Sequence, residues 1–138
     1  MKNYIHHIVL TVRNAKKSTE FYSKVLGSEW KIIEQKDDYA YFVADSVEYP
    51  KTKCMLVIGE PRDGALKNDK FDRNRIGLDH FAFNVESMEE LKEIEVRLSK
   101  HGIVMETGGI TDDDFGGTAI FCQDPDGMKV EFHLQESR

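Results

Sequence analysis

The sequence predicts an α+β fold in which a strand, helix, strand, strand, strand unit occurs twice. Three observations carry this. The segment His7-Ile8-Val9-Leu10-Thr11-Val12 lies over His80-Phe81-Ala82-Phe83-Asn84-Val85 when the chain is aligned with itself. Each of these alternating segments runs into a stretch of helical spacing that stops at a glycine, Gly27 in the first case and Gly102 in the second. Three further short segments of strand character follow each helix. An internal repeat of this kind decides the architecture before any single element is assigned.

Taken in order, Ile5 to Val12 alternates with period two, so that Ile8, Leu10 and Val12 share one face and His7, Val9 and Thr11 the other. His6 falls on the apolar side. Asn14 is a helix N-cap, since its side-chain oxygen accepts a backbone N–H left unpaired by the first turn, and Phe21, Tyr22, Val25 and Leu26 follow at helical spacing. Trp30 to Gln35 and Tyr39 to Ala44 read as strands joined by Lys36-Asp37-Asp38. Their faces stay open, and Tyr39 and Tyr41 receive no role. A loop through Pro50 leads to a fourth strand, Lys53 to Ile58.

From Gly59 to Gly77 only Ala65, Leu66, Phe71 and Ile76 are apolar, among Gly, Pro, Asp, Asn, Lys and Arg. At roughly 18 residues this connector exceeds ordinary loop length, so it joins two structural units or covers an opening. Leu78 to Val85 is the next strand. Ser87 and Glu90 have capping-box spacing, and Leu91, Ile94 and Leu98 form an apolar stripe that ends before Gly102. Ile103 to Glu106 gives a short strand, Thr107 to Gly117 a Gly- and Asp-rich loop, and Thr118 to Cys122 another strand. The turn Asp124-Pro125-Asp126-Gly127 introduces the last, Lys129 to Leu134. One domain is expected, with module one at about residues 4–58, a connector at about 59–77 and module two at about 78–135.

With 138 residues the chain is long enough to bury a core without a disulfide or metal, so an ion, if held, is there for chemistry. A net charge of −6 argues against a nucleic-acid partner, which needs a basic face. Cys54 and Cys122 lack metal-ligand spacing, no cleavable signal is visible, and no apolar run approaches the roughly 20 residues of a membrane span. A reduced, cytoplasmic protein without a membrane partner is expected.

A helix laid on one side of each sheet covers its apolar face and leaves the other free. That free face holds His7 with Val9 and Thr11, His80 with Ala82 and Asn84, and Glu131 with His133. Glu131 on its own reads as an ordinary surface carboxylate, and a lone strand histidine as a structural one. Together they put three potential metal ligands on the helix-free face of three strands. If the two sheets curve toward each other, that face lines a cavity.

The residues His7 to Val12, Phe21-Tyr22, Val25-Leu26-Gly27, Leu78-Asp79-His80 and Asp124-Pro125-Asp126-Gly127 leading to Glu131 resemble, in their order and spacing, the vicinal oxygen chelate superfamily. That superfamily includes glyoxalase I, fosfomycin-resistance enzymes, methylmalonyl-CoA epimerase, extradiol dioxygenases and bleomycin-resistance proteins. The resemblance implies two βαβββ modules whose curved mixed sheets surround a metal-containing cavity, often in a homodimer that builds each site within one subunit or across two. It carries the metal ligands over to His7, His80 and Glu131. The fourth position, a carboxylate in glyoxalase I, aligns with Leu56, which cannot ligate, and so departs from that enzyme. Two imidazoles and a carboxylate suit Fe, Mn, Ni, Co or Zn and leave coordination positions for water or substrate.

Beside these, His133 shares the face of Glu131, where it can orient a ligand or assist proton transfer. Cys54 and Leu56 share a face and are candidates for cavity lining, Cys54 as a structural thiol rather than a nucleophile. Phe115, in the Asp112-Asp113-Asp114-Phe115-Gly116-Gly117 loop, is a candidate lid residue, while the aspartates read equally as a solvated turn. The expected activity is that of a divalent-metal enzyme on a small oxygen-chelating substrate, by glyoxalase-like lyase or isomerase chemistry through a metal-bound enolate. An extradiol-type dioxygenase or a fosfomycin-type thiol transferase uses the same three ligands. A metal-free, bleomycin-resistance-like binding protein is the reading from another class.

Overall fold

A computed structural model describes residues 5–45 and 53–135, and the expected loop through Pro50 lies outside them. The chain divides into two compact units, residues 1–69 and 70–138. In the first unit β1 (His7–Thr11) is followed by α1 (Ala15–Val25), β2 (Lys31–Gln35), β3 (Tyr39–Asp45) and β4 (Lys53–Gly59). The sheet runs β1-β4-β3-β2, parallel between β1 and β4 and antiparallel elsewhere.

Local chemistry sets the ends of α1. Asn14 accepts the Lys17 N–H at 2.9 Å, Glu60 reaches back to accept the Ala15 N–H at 2.8 Å, and the helix closes with Leu26 donating to the Tyr22 carbonyl. Two of the otherwise orphaned N–H groups are thereby satisfied. α1 packs on β3 and β4, with Tyr22, Val25, Phe42, Leu56 and Ile58 all at most 1% exposed. Burial of side chains this size contributes about 1.5–3 kcal/mol each.

The register settles the faces that alternation left open. Val9 stands opposite Val57, Val57 opposite Tyr41, and Gly59 opposite Tyr39. Tyr39, Tyr41, Met55 and Val57 therefore share the helix-free face with His7 and Val9. Ile8 pairs with Leu56, and Leu56 with Phe42, under α1.

In the second unit β5 (His80–Val85), α2 (Met88–Lys100), β6 (Thr111–Asp112), β7 (Gly117–Gln123) and β8 (Lys129–Gln135) repeat the order, with sheet order β5-β8-β7-β6. The α2 start is capped by Ser87, which accepts the Glu90 N–H at 3.1 Å, while the Glu90 carboxylate accepts the Glu86 N–H at 2.8 Å. Leu91, Leu98, Ile120, Cys122 and Val130 form its core, each at 0% exposure. Ile103 to Glu106 is not a strand. Only Met105 bridges to Cys122, and Gly108 and Gly109, at φ 81° and 154°, turn the chain away before pairing resumes at Thr111 and Asp112. No helix among the described residues is long and apolar enough to cross a membrane.

The repeat needs one correction. Ala82 pairs with Glu131 in the second unit, and its counterpart in the first, Val9, pairs with Val57. Val57, rather than Leu56, occupies the place of Glu131. Aligning Leu56 with Glu131 slips the register by one residue, and one residue exchanges the two faces of a strand. Leu56 and Cys54 thus stand on the helix-covered side and not on the side of His7, with Leu56 1% exposed.

Candidate metal centre

The parallel pairing of β5 with β8 places Ala82 beside Glu131 and Asn84 beside His133, all on the helix-free face of the second sheet. His80 opens the same face, and the single methyl of Ala82 leaves room for its ring to lean toward Glu131. The His80 Nε2 lies 3.0 Å from Glu131 Oε2, and its Nδ1 lies 2.6 Å from Asp79 Oδ1. Arg73 Nε donates to Asp79 Oδ2 at 3.2 Å. On the other side of the carboxylate, His133 Nδ1 is 3.2 Å from Glu131 Oε1 and 2.5 Å from Asp113 Oδ2. Glu131 is only 3% exposed, so a chain of charged and titratable groups runs through a nearly dry carboxylate.

Charge state follows from the partners. The hydrogen bond from His80, helped by Arg73, holds the Asp79 carboxyl below its ordinary range. An ionised carboxylate only accepts, so Nδ1 of His80 carries the proton shared with Asp79. Nε2 is directed at a carboxylate oxygen of Glu131. At 3.0 Å the two atoms need a proton or a cation between them.

Asp113 is the residue that sequence reasoning missed. Oδ1 accepts the backbone N–H of Phe115 at 2.7 Å and of Gly117 at 3.0 Å, which folds the Asp-rich loop back on itself. Burial pushes its pKa up, but these two N–H groups and His133 outweigh that and hold the carboxyl below its ordinary value. Asp113, Glu131 and His133 each offer a ligand atom, all within 4.8 Å of one another. The signal available in the sequence was the position of Asp113 three residues before the Gly116-Gly117 pair that lets a loop close over a histidine. Gly117 is one of these: a Cβ there would lie 2.7 Å from His133 Cε1 and 2.6 Å from the Leu134 carbonyl.

Of the remaining candidates, His7, Cys54 and Leu56 belong to the first unit and Phe115 to the second. His7 is exposed at the start of β1 with Nδ1 2.9 Å from His6 Nδ1, which leaves its Nε2 as the free donor atom. Cys54 and Leu56 occupy the helix side, as above. Phe115 caps the Asp113 turn in the second unit with 68% of its surface exposed.

Comparison with known proteins gives a consistent picture. Residues 4–132 match the family described as the Glyoxalase/Bleomycin resistance protein/Dioxygenase superfamily. A trivalent organoarsenical cleaving enzyme from Bacillus sp. (strain MD1) is 32% identical over 91% of this chain and 70% of that protein. The lactoylglutathione lyase of Escherichia coli O157:H7 is 28% identical over 91% of this chain and 87% of that one. Catechol-2,3-dioxygenase of Bacillus subtilis (strain 168) is 30% identical over 98% of the chain, which spans only 42% of that enzyme. Among solved structures, a glyoxylase/bleomycin resistance protein/dioxygenase domain from Frankia sp. EAN1pec superposes with a TM-score of 0.72 at 27% identity, covering 99% of this chain and 100% of that one.

Proposed function

The chain belongs to the Glyoxalase/Bleomycin resistance protein/Dioxygenase superfamily, and from that premise we propose that it is a divalent-metal-dependent enzyme acting on a small molecule that presents oxygen atoms to the ion, by glyoxalase-like lyase or isomerase chemistry. The observation that carries this is His80 Nε2 facing the buried Glu131 carboxylate at 3.0 Å, with Asp79 fixing the ring from behind. The donor set fits a metal. An imidazole whose second nitrogen is tied to a carboxylate and a buried carboxylate without competing solvent form a usual ligand pair with its supporting contact. His80 and Glu131 supply two ligands in this reading, and His7, on the helix-free face of its own sheet, is the candidate third.

When bound, an ion at these residues would polarise a substrate oxygen as a Lewis acid. The protein's own residues do the rest: Asp79 holds the tautomer and direction of His80, and Glu131 contributes the charge that offsets the cation. With Val57 where glyoxalase I has a carboxylate, the first unit supplies no carboxylate at that position. That argues for a substrate other than the one glyoxalase I takes. The match over 87% of a lactoylglutathione lyase, against 42% of a catechol dioxygenase, favours the lyase or isomerase reading. Oxygen chemistry on iron is the second reading, and the 30% identity to the dioxygenase is what favours it. A metal-free binding protein accounts poorly for the buried pair. A single domain, a homodimer and a cytoplasmic setting are parts of the same proposal.

The test is metal content. Purified protein offered Fe, Mn, Ni, Co and Zn under reducing conditions should retain one of them tightly and near stoichiometrically, and His80→Ala should lose that ion. Absence of uptake in the wild type would overturn the metalloenzyme reading. Equal uptake by the variant would overturn the ligand assignment.

A further inference from the structure

Glu131 has two oxygens, and the His80 pair uses only one. We infer that Asp113, His133 and Oε1 of Glu131 form a second cation site within the second unit, with the Glu131 carboxylate shared between the two. No residue of this cluster other than Glu131 is needed by the function proposed above.

The cluster holds fewer hydrogens than its acceptors need. His133 Nδ1 faces Glu131 Oε1 at 3.2 Å and Asp113 Oδ2 at 2.5 Å, and one ring N–H cannot serve both. It makes the hydrogen bond with Glu131. The approach to Asp113 is an ion-pair distance without hydrogen-bond geometry, so Oδ2 is a buried carboxylate oxygen with no hydrogen-bond partner. The Asp113 side chain is 2% exposed, and leaving a charged oxygen without a hydrogen bond in such a place is costly. The other oxygen of the same group is fully used by the Phe115 and Gly117 N–H groups, which fixes the direction in which Oδ2 points.

A cation removes the mismatch. First-row divalent ions bind nitrogen and oxygen at about 2.0–2.2 Å, which spaces their ligand atoms about 3–4 Å apart. The three candidate ligand atoms lie within 4.8 Å of one another, so small side-chain rotations suffice. Two carboxylates and one imidazole are a harder donor set than His80 with Glu131, and they suit Mn(II) or Zn(II). The loop is shaped for this: Gly117 has no side chain where the His133 ring lies, and the Asp113 turn delivers its carboxylate to the edge of that ring.

Equilibrium dialysis with Mn(II) and with Zn(II), read by elemental analysis, tests the inference. The wild type should take up two ions per chain. Asp113→Asn, and independently His133→Gln, should each take up one, as should His80→Ala, while Glu131→Gln should lose both. Circular dichroism identifies any variant that fails to fold, and the remaining variants then carry the comparison. One ion in the wild type, kept by Asp113→Asn and His133→Gln and lost by His80→Ala, would overturn the second site and leave the proposed function standing. One ion lost by Asp113→Asn and kept by His80→Ala would support the second site and overturn the assignment of His80 as a ligand in the proposed function instead. Two ions per chain in every variant would overturn both.

Discussion

Gly117→Ala is the most exacting check on the geometry of the Asp113 loop. The added methyl would sit 2.6 Å from the Leu134 carbonyl oxygen and 2.7 Å from Cε1 of His133, both well inside van der Waals contact. The carbonyl is main chain in β8 and cannot swing aside, so β7 must shift or the His133 ring must turn out. Overpacking of this kind costs about 1–3 kcal/mol, a fall in the melting midpoint on the order of 5–10 °C for a chain of this size. Gly59 is the internal control. It is also a strand glycine, and its Cβ would meet only Tyr39 Cβ at 4.0 Å, an ordinary contact. Gly59→Ala should therefore melt within about 0.5 kcal/mol of the wild type. Differential scanning calorimetry of both variants decides the matter. If Gly117→Ala matches Gly59→Ala, the close packing of His133 on Gly117 is wrong, and the reason for a glycine there disappears with it.

Other outcomes follow from the same structure. Asp79→Asn should weaken binding of the ion proposed at His80 by about 10–100-fold in a chelator competition, because it loosens the ring without removing a ligand; an affinity within twofold of wild type would show that Asp79 does not orient His80. Leu56→Glu buries an unpaired charge beneath α1 and should cost more than about 4 kcal/mol, whereas Val57→Glu, on the opposite face, should cost about 1 kcal/mol; the reverse order in urea melts would invert the β4 faces. The Cys122 thiol is pushed up to about 12, chiefly by burial, with Glu106 and Asp124 adding to it. Iodoacetamide at pH 8 should leave it unmodified in native protein and modify it once unfolded. Because the folded value lies above the unfolded value of 9.0, the stability gained by keeping this thiol neutral is whole below pH 9 and is lost as the pH rises toward 12.

Much of the architecture was legible because the repeat is carried by local signals. Asn14 and Ser87 cap helices whose apolar stripes point one way, and the alternation of β1, β5 and β8 follows directly from their residues. The relation between strands was harder to read. Leu56 and Val57 are both apolar, so nothing in β4 says which of them faces the helix, and only the pairing to Ile8 and Val9 decides it. The same holds for Tyr39 and Tyr41. His80 and Glu131 could be named from their faces alone. Asp113 could not, because its role depends on a turn closed by Phe115 and Gly117 N–H groups and on a histidine that lies across β7. Long-range pairing and loop closure leave little trace in composition, and here they bring Asp113 to the cluster around Glu131.

The parallel pairing of β5 with β8 has a consequence for the order of folding. Hairpin contacts between β7 and β8 form between near neighbours, but Ala82 meets Glu131 only after the whole module has closed on itself. Entropy makes that closure the late step, so the His80–Glu131 pair should assemble last in its unit. A Co(II) absorption band followed in stopped-flow refolding should then lag the far-ultraviolet circular dichroism signal, and an ion captured ahead of secondary structure would contradict this order. An ion held as proposed would recognise the finished sheet and take no part in building it.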